Sequence, residues 1–265
     1  MDIKLYNGDC LEVMKQIPDN SVDLVLCDLP YETTNVYWDT VIPFDKLWEM
    51  YERVCKENTA VLLFSKQPFT TSLINSNPKN FKYNLIWVKN VPTGMSSSKY
   101  RPMKYFEEIL VFYKKPPVYN PIMKERVGVH KECYRYEHYC GSNNHIQYKK
   151  VKKKYDPDYV QPSDVLLFDV VPNRNGKKHP TQKPVELLEY LIRTYSNEGD
   201  MVLDNCMGSG STGVACTNTG RNFIGIEKEE NYFNIAQQRI NEVININKQK
   251  LFWYIQHIFF CEIFC

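Results

Sequence analysis

The sequence has no run of the ~18 apolar residues that a membrane-spanning helix needs. It has almost no charge of one sign to spare: 33 Lys and Arg stand against 31 Asp and Glu, the balance of neither a histone-like nor an acidic protein. Among its nine cysteines there is no C-x-x-C pair. Cys133 and Cys140, with His130, His138 and His145 nearby, lack the second ligand cluster that a structural zinc site requires, so no metal is expected. The odd cysteine count and the lack of a signal peptide argue against a secreted disulfide framework and for a reducing cytoplasm. The string Gly-x-x-x-x-Gly-Lys-Ser/Thr is also missing, which argues against ATP held by a phosphate loop.

What is present is enough chain, 265 residues, for one large α/β domain carrying an insertion. Apolar strands at 22–27, 59–64, 83–88 and 107–113 alternate with amphipathic helices, the mark of a mainly parallel sheet. Residues 114–164 break that rhythm with seven tyrosines, many Lys and Arg, and little periodicity. From Lys99 to Lys154 there are 14 basic and 5 acidic residues, an excess of nine that leaves the rest of the chain mildly acidic. Interleaved cations and aromatic rings suit phosphate neutralisation and base stacking; a solvated insertion is the alternative. The alternation resumes over 165–246, and residues 247–265 form an aromatic-rich tail with no further strand and helix unit.

Two strand ends carry chemistry. The buried run 21–27 opens into Asp28-Leu29-Pro30-Tyr31, a carboxylate, a proline and an aromatic together at the edge where open α/β sheets bind ligands. The strand at 201–203 runs into Asp204 and a turn with Gly208, Gly210 and Gly213 that opens a helix, and Glu227 closes the next strand. Such a turn lets a nucleotide approach the main chain, and the acid can accept hydrogen bonds from ribose hydroxyls. The Gly-x-Gly-x-x-Gly spacing would also suit a dinucleotide oxidoreductase; the tetrapeptide at 28–31 decides against it.

With both motifs, and with His179-Pro180-Thr181-Gln182-Lys183-Pro184 ahead of the turn, the chain resembles the beta group of S-adenosylmethionine-dependent DNA amino-methyltransferases. The resemblance covers about residues 1–245 and departs from the family pattern at Leu29, which replaces a proline, and at Asn205-Cys206, which replace Pro-Phe. It implies a Rossmann-like, seven-stranded, mostly parallel sheet with one antiparallel strand, circularly permuted. Its parts are a catalytic half (1–113), an inserted target-recognition region (114–164), a cofactor half (165–246) and the tail (247–265).

The resemblance further implies N6 methylation of a flipped adenine in duplex DNA, with Asp28, Leu29, Pro30 and Tyr31 catalytic. Leu29 would act through its carbonyl, which any residue carries. The cofactor would contact Asp9, Cys10, Asp28, Thr181, Lys183, Asp204, Cys206, Gly208, Ser209, Gly210 and Glu227, with altered affinity where Cys206 stands for an aromatic. DNA contacts are expected from Lys89, Lys99, Arg101, Lys124, Arg126, Arg135, Lys149 and Lys150. Alternatives are cytosine-N4 methylation, an RNA or protein-glutamine methyltransferase, and a DNA-binding module without catalysis. A homodimer, a cognate restriction endonuclease and a nucleoid-associated cytoplasmic location belong to the same expectation.

Overall fold

The computed structural model of the protein describes residues 1–31, 41–125, 134–140, 146–152, 159–171 and 182–263. In chain order the elements are β1 (Ile3–Asn7), α1 (Cys10–Met14), β2 (Val22–Cys27), α2 (Phe44–Val54), β3 (Cys55–Ser65), α3 (Phe69–Ser76), β4 (Phe81–Thr93) and β5 (Lys104–Phe112). The insertion adds β6 (Lys124–Glu125), β7 (Tyr134–Cys140), β8 (Ile146–Lys152) and β9 (Tyr159–Val160). Then follow β10 (Val165–Leu167), α4 (Val185–Tyr195), β11 (Met201–Asp204), α5 (Ser211–Thr219), β12 (Asn222–Glu227) and α6 (Glu230–Ile263).

One sheet of eight strands, ordered β1-β12-β11-β2-β3-β5-β4-β10, organises residues Met1–Asn120 and Asp164–Cys265. All its pairings are parallel except those of β5, which runs against β3 and β4. The expected single antiparallel strand is present, and the sheet has one strand more than expected. The eighth is β10, three residues paired to the outer edge of β4, where the anticipated strand over 165–171 stops early.

The sheet is covered on both faces because its strands are apolar on both. Along β2, Leu24 and Leu26 pack with α4 to α6, while Val25 and Cys27 pack with α1 to α3. Period-2 alternation thus feeds two cores, one per face. β2 and β11 are neighbours at the centre of the sheet. From β2 the chain leaves through α2 on one face to β3, and from β11 through α5 on the other face to β12. That divergence opens a crevice beyond the carboxyl ends of β2 and β11, the topological switch point where ligands bind in such sheets.

Pro121–Ser163 form a second compact unit. Strands form there despite the weak periodicity: β7 and β8 pair antiparallel, with Tyr136 opposite Lys150 and Glu137 opposite Lys149, and β6 pairs with β9. The tail adds no further strand and helix unit but extends the helix before it, α6 continuing without a break to Ile263.

Candidate active site

A cavity of about 730 Å³ occupies the crevice. It is lined from both sides, by Asp28 to Tyr31 after β2 and by Asp204 to Ser209 after β11. Asp9, Cys10, Glu227 and Lys183 also line it, as do Lys66, Lys89 and Glu107.

The β11 turn is built as a rigid cradle. Asp204 Oδ1 accepts from the Cys206 N–H at 3.1 Å and Oδ2 from the Thr212 hydroxyl at 2.6 Å. Burial pushes the Asp204 carboxyl up to about 6, even though these hydrogen bonds oppose the shift. A carboxyl raised from 3.8 weakens the fold as pH climbs between the two values, because the unfolded chain ionises first; the full effect is ~3 kcal/mol above pH ~6. Asp204→Asn keeps an oxygen for Cys206 and an amide for Thr212 without ionising. Its thermal melting point should therefore rise relative to the parent at pH ~8 and show no such gain near pH ~4.

Glu227 holds the other end of the turn. Its Oε2 accepts from the Gly208 N–H and its Oε1 from the Glu229 N–H, each at 2.8 Å. Each oxygen keeps a second lone pair, so the carboxylate is both fixed and able to accept further. Burial raises its pKa, and those two N–H groups pull against the rise. Asn205 ties the turn to α2: its side-chain oxygen accepts from the Tyr51 hydroxyl at 2.6 Å. Arg239 of α6 donates to the Ser209 carbonyl and, at 2.9 Å, to the Ser209 hydroxyl.

Two glycines of the turn serve packing. Gly210 has φ +77°, and a Cβ there would lie 2.8 Å from the Ala236 Cβ and 3.0 Å from the Ala236 Cα. A Cβ on Gly213 would lie 2.4 Å from Ile240 Cδ1. Gly210, expected against the cofactor, does not line the cavity and instead lets α6 approach. Gly208 and Ser209 do line it, as do Asp204 and Cys206.

On the β2 side, Asp28 Oδ1 accepts from the Tyr31 hydroxyl and Oδ2 pairs with the Lys183 ammonium. The Leu29 side chain is buried in the core, so the residue that replaces a proline anchors the motif. The Tyr31 ring packs on Phe69 at 4.8 Å between centroids, with the Lys66 ammonium 5.2 Å from its centroid. Burial, reinforced by Asp28 and Glu107, holds the Tyr31 hydroxyl well above its ordinary pKa, so it remains a donor.

Lys183, expected at the cofactor, lines the cavity, where it is buried and shared between Asp28 and Glu107, whose Oε2 is 3.4 Å away. Burial alone would lower its pKa, and the two carboxylates overcome this and raise it. Glu107 Oε1 accepts from the Lys89 ammonium at 3.0 Å. Burial opposes ionisation of Glu107, but Lys183 and Lys89 outweigh it and hold the carboxyl at about 2.

Lys89, expected to meet DNA, is therefore corrected: its side chain is 2% exposed and paired with Glu107. Lys99, Arg101 and Lys124 are exposed. Arg135, Lys149 and Lys150 lie on β7 and β8, with side chains outside those described, and Arg126 and Thr181 fall outside the described residues. Asp9 caps α1 through the Leu11 N–H at 3.0 Å, with Lys228 3.6 Å from its second oxygen. Sequence reasoning missed Glu107, Lys66 and the Tyr51 tie. Glu107 did carry a signal, being one of two adjacent acids that interrupt a strand otherwise apolar from Tyr105 to Phe112.

The DNA methylase family model matches residues 22–238, most of the chain and both sides of the crevice. The chain belongs to the N6/N4 DNA methylase family. The type II methyltransferase M.HpaI of Haemophilus parainfluenzae is 28% identical over 260 residues, covering 92% of this chain and 76% of its own. M2.MboI of Moraxella bovis is 26% identical over 277 residues, covering 94% and 91%. The crystal structure of an M1.HpyAVI complex with S-adenosylmethionine superposes with a TM-score of 0.61 at 28% identity, over 90% of this chain and 99% of that one. The cytosine-N4-specific PvuII DNA methyltransferase shares the fold, with a TM-score of 0.61 at 14% identity over 92% of each chain. As an N6/N4 methylase the protein has S-adenosylmethionine as its family's cofactor. Among the described residues no group of His, Cys, Asp and Glu could hold a metal ion, and no helix is long and apolar enough to cross a membrane.

Proposed function

We propose that the protein transfers a methyl group from S-adenosylmethionine to the N6 amino group of an adenine flipped out of duplex DNA. The observation that carries this reading is the meeting of Asp28 and Tyr31 with the Asp204–Ser209 turn in one cavity. The cavity's volume lies within the range of cofactor pockets, and its lining carboxylates, with the backbone of the β11 turn, suit a nucleoside joined to an amino acid. Glu227, fixed by two N–H groups, accepts from ribose hydroxyls; Asp9 accepts from the adenine amino group. Cys10, Cys206, Gly208 and Ser209 line the remainder. When bound, the cofactor supplies an electrophilic methyl group on a sulfonium.

The chain's own task is to make an exocyclic amino group nucleophilic. Its lone pair is delocalised into the ring, so acceptors must draw it toward sp³ geometry. Asp28 accepts one N–H and the Leu29 carbonyl accepts the other, which aims the lone pair into the cavity. Asp28 then takes the released proton. Tyr31 stacks on the flipped base, worth ~1–3 kcal/mol. Lys99 and Arg101, exposed beside Tyr100 between β4 and β5, are set to neutralise backbone phosphates, as are the cations of the insertion.

Adenine follows from the acid at position 28, which accompanies adenine in the family. Methyl transfer from labelled cofactor to duplex DNA, RNA and protein in parallel tests the reading. Label is expected in DNA, and label in RNA or protein alone overturns it. A homodimer, a cognate endonuclease and the circularly permuted strand order complete the proposal.

A further inference from the structure

We propose that Glu107 is a positioning residue for base capture: it receives the Lys183 ammonium when a target amino group takes up Asp28. The inference rests on the methyl-transfer reading above. Asp28 is engaged on both oxygens, by Tyr31 and by Lys183. An ammonium held against Asp28 drains the electron density that an incoming N–H needs. Parting a buried ion pair with no second partner costs ~3–5 kcal/mol. Glu107 supplies the second partner.

Three features fit it to that task. Its Oε1 is fixed by Lys89 at 3.0 Å, so the carboxylate cannot swing away. Its Oε2 is buried and, among the described residues, is met by the Lys183 ammonium in a long ion pair that has not closed into a hydrogen bond of ordinary length. That oxygen stands 3.4 Å from the Lys183 ammonium, so a shift of well under ~1 Å closes a charge-assisted hydrogen bond of ~2.7–2.9 Å. The cation is exchanged between two carboxylates and is never left unpaired. β5 makes this geometry available: being antiparallel, it brings its first residues to the edge where the parallel strands end.

Glu107→Gln keeps shape and removes charge, whereas Glu107→Asp keeps charge and shortens the arm. The motif methylated by the parent protein is first read by sequencing, and 2-aminopurine is then placed beside the target adenine of a duplex. Its fluorescence, which rises when the neighbouring adenine leaves the stack, reports base capture, and calorimetry with S-adenosylhomocysteine reports cofactor affinity. Glu107→Gln should slow base capture and single-turnover methylation by ~10–100-fold with cofactor affinity unchanged, and Glu107→Asp should retain more of both. Equal or better performance of Gln than Asp would reduce Glu107 to a space filler and overturn the proposal. If Glu107→Gln does not fold, Lys183→Gln takes its place. With no cation to relocate, base capture should be at least as fast as in the parent, and slower capture overturns the proposal. A parent protein that methylates no DNA refutes the methyl-transfer reading itself.

Discussion

Asp28→Asn lowers methyl transfer to DNA by ~10²–10⁴-fold while cofactor affinity stays within about threefold of the parent. The asparagine matches aspartate in shape and still accepts from the Tyr31 hydroxyl, while its amide takes the place of the oxygen facing Lys183, which keeps Glu107 as its partner. What it loses is the charge that draws the amino lone pair out of the base and the site that takes the proton. Cofactor affinity is spared because Asp28's two oxygens face Tyr31 and Lys183, whereas the cradle is held by Asp204 and Glu227. Alanine is the poorer probe, since it also removes the acceptor of Tyr31. Rapid-quench transfer with calorimetry on the same sample checks both halves. A parallel loss of transfer and cofactor binding would mean that Asp28 is a cofactor ligand first.

The second large effect is on stability. Gly210→Ala should cost ~2–5 kcal/mol, since a left-handed alanine carries ~1–2 kcal/mol and overpacking ~1–3 kcal/mol. The clash is with the Ala236 backbone of α6 as well as its methyl, and backbone cannot rotate out of the way. The melting point should fall by ~5–15 °C. Gly199→Ala separates the two contributions: its φ is +83°, but a Cβ there meets nothing within 4 Å among the described residues. It should lose only the conformational part. Similar losses at both positions would show that α6 yields and that packing at Gly210 is loose.

These residues also show how far the sequence could be read. β2 and β11 were legible because each is a short, mostly apolar run that meets an acid at its end, Asp28 just after β2 and Asp204 closing β11, and strand ends of that kind define the ligand edge of a parallel sheet. Gly210 and Gly213 were legible as special but not in purpose, since ligand approach and helix approach both demand the absence of a Cβ. Only the position of α6 tells them apart. Lys89 looked like a phosphate contact because charge beside a loop is usually exposed; its pairing partner Glu107 is 18 residues away on the antiparallel strand. In the insertion, β7 and β8 carry tyrosine and charge where strands usually alternate apolar with polar, so their pairing left little hydrophobic signal. The Glu107 role was out of reach for the same reason as Lys89: it depends on which way β5 runs.

The central claim is that Asp28 and Tyr31 present a flipped adenine to a methyl donor held by the β11 turn. Long-read sequencing of DNA from cells expressing the parent protein, beside cells expressing Asp28→Asn, tests it most directly. The account predicts N6-methyladenine at one recurrent short motif with the parent and none with the variant. N4-methylcytosine at such a motif would transfer the mechanism to the other base. Unmodified DNA from cells in which the folded protein binds S-adenosylmethionine and methylates RNA or protein would contradict the account.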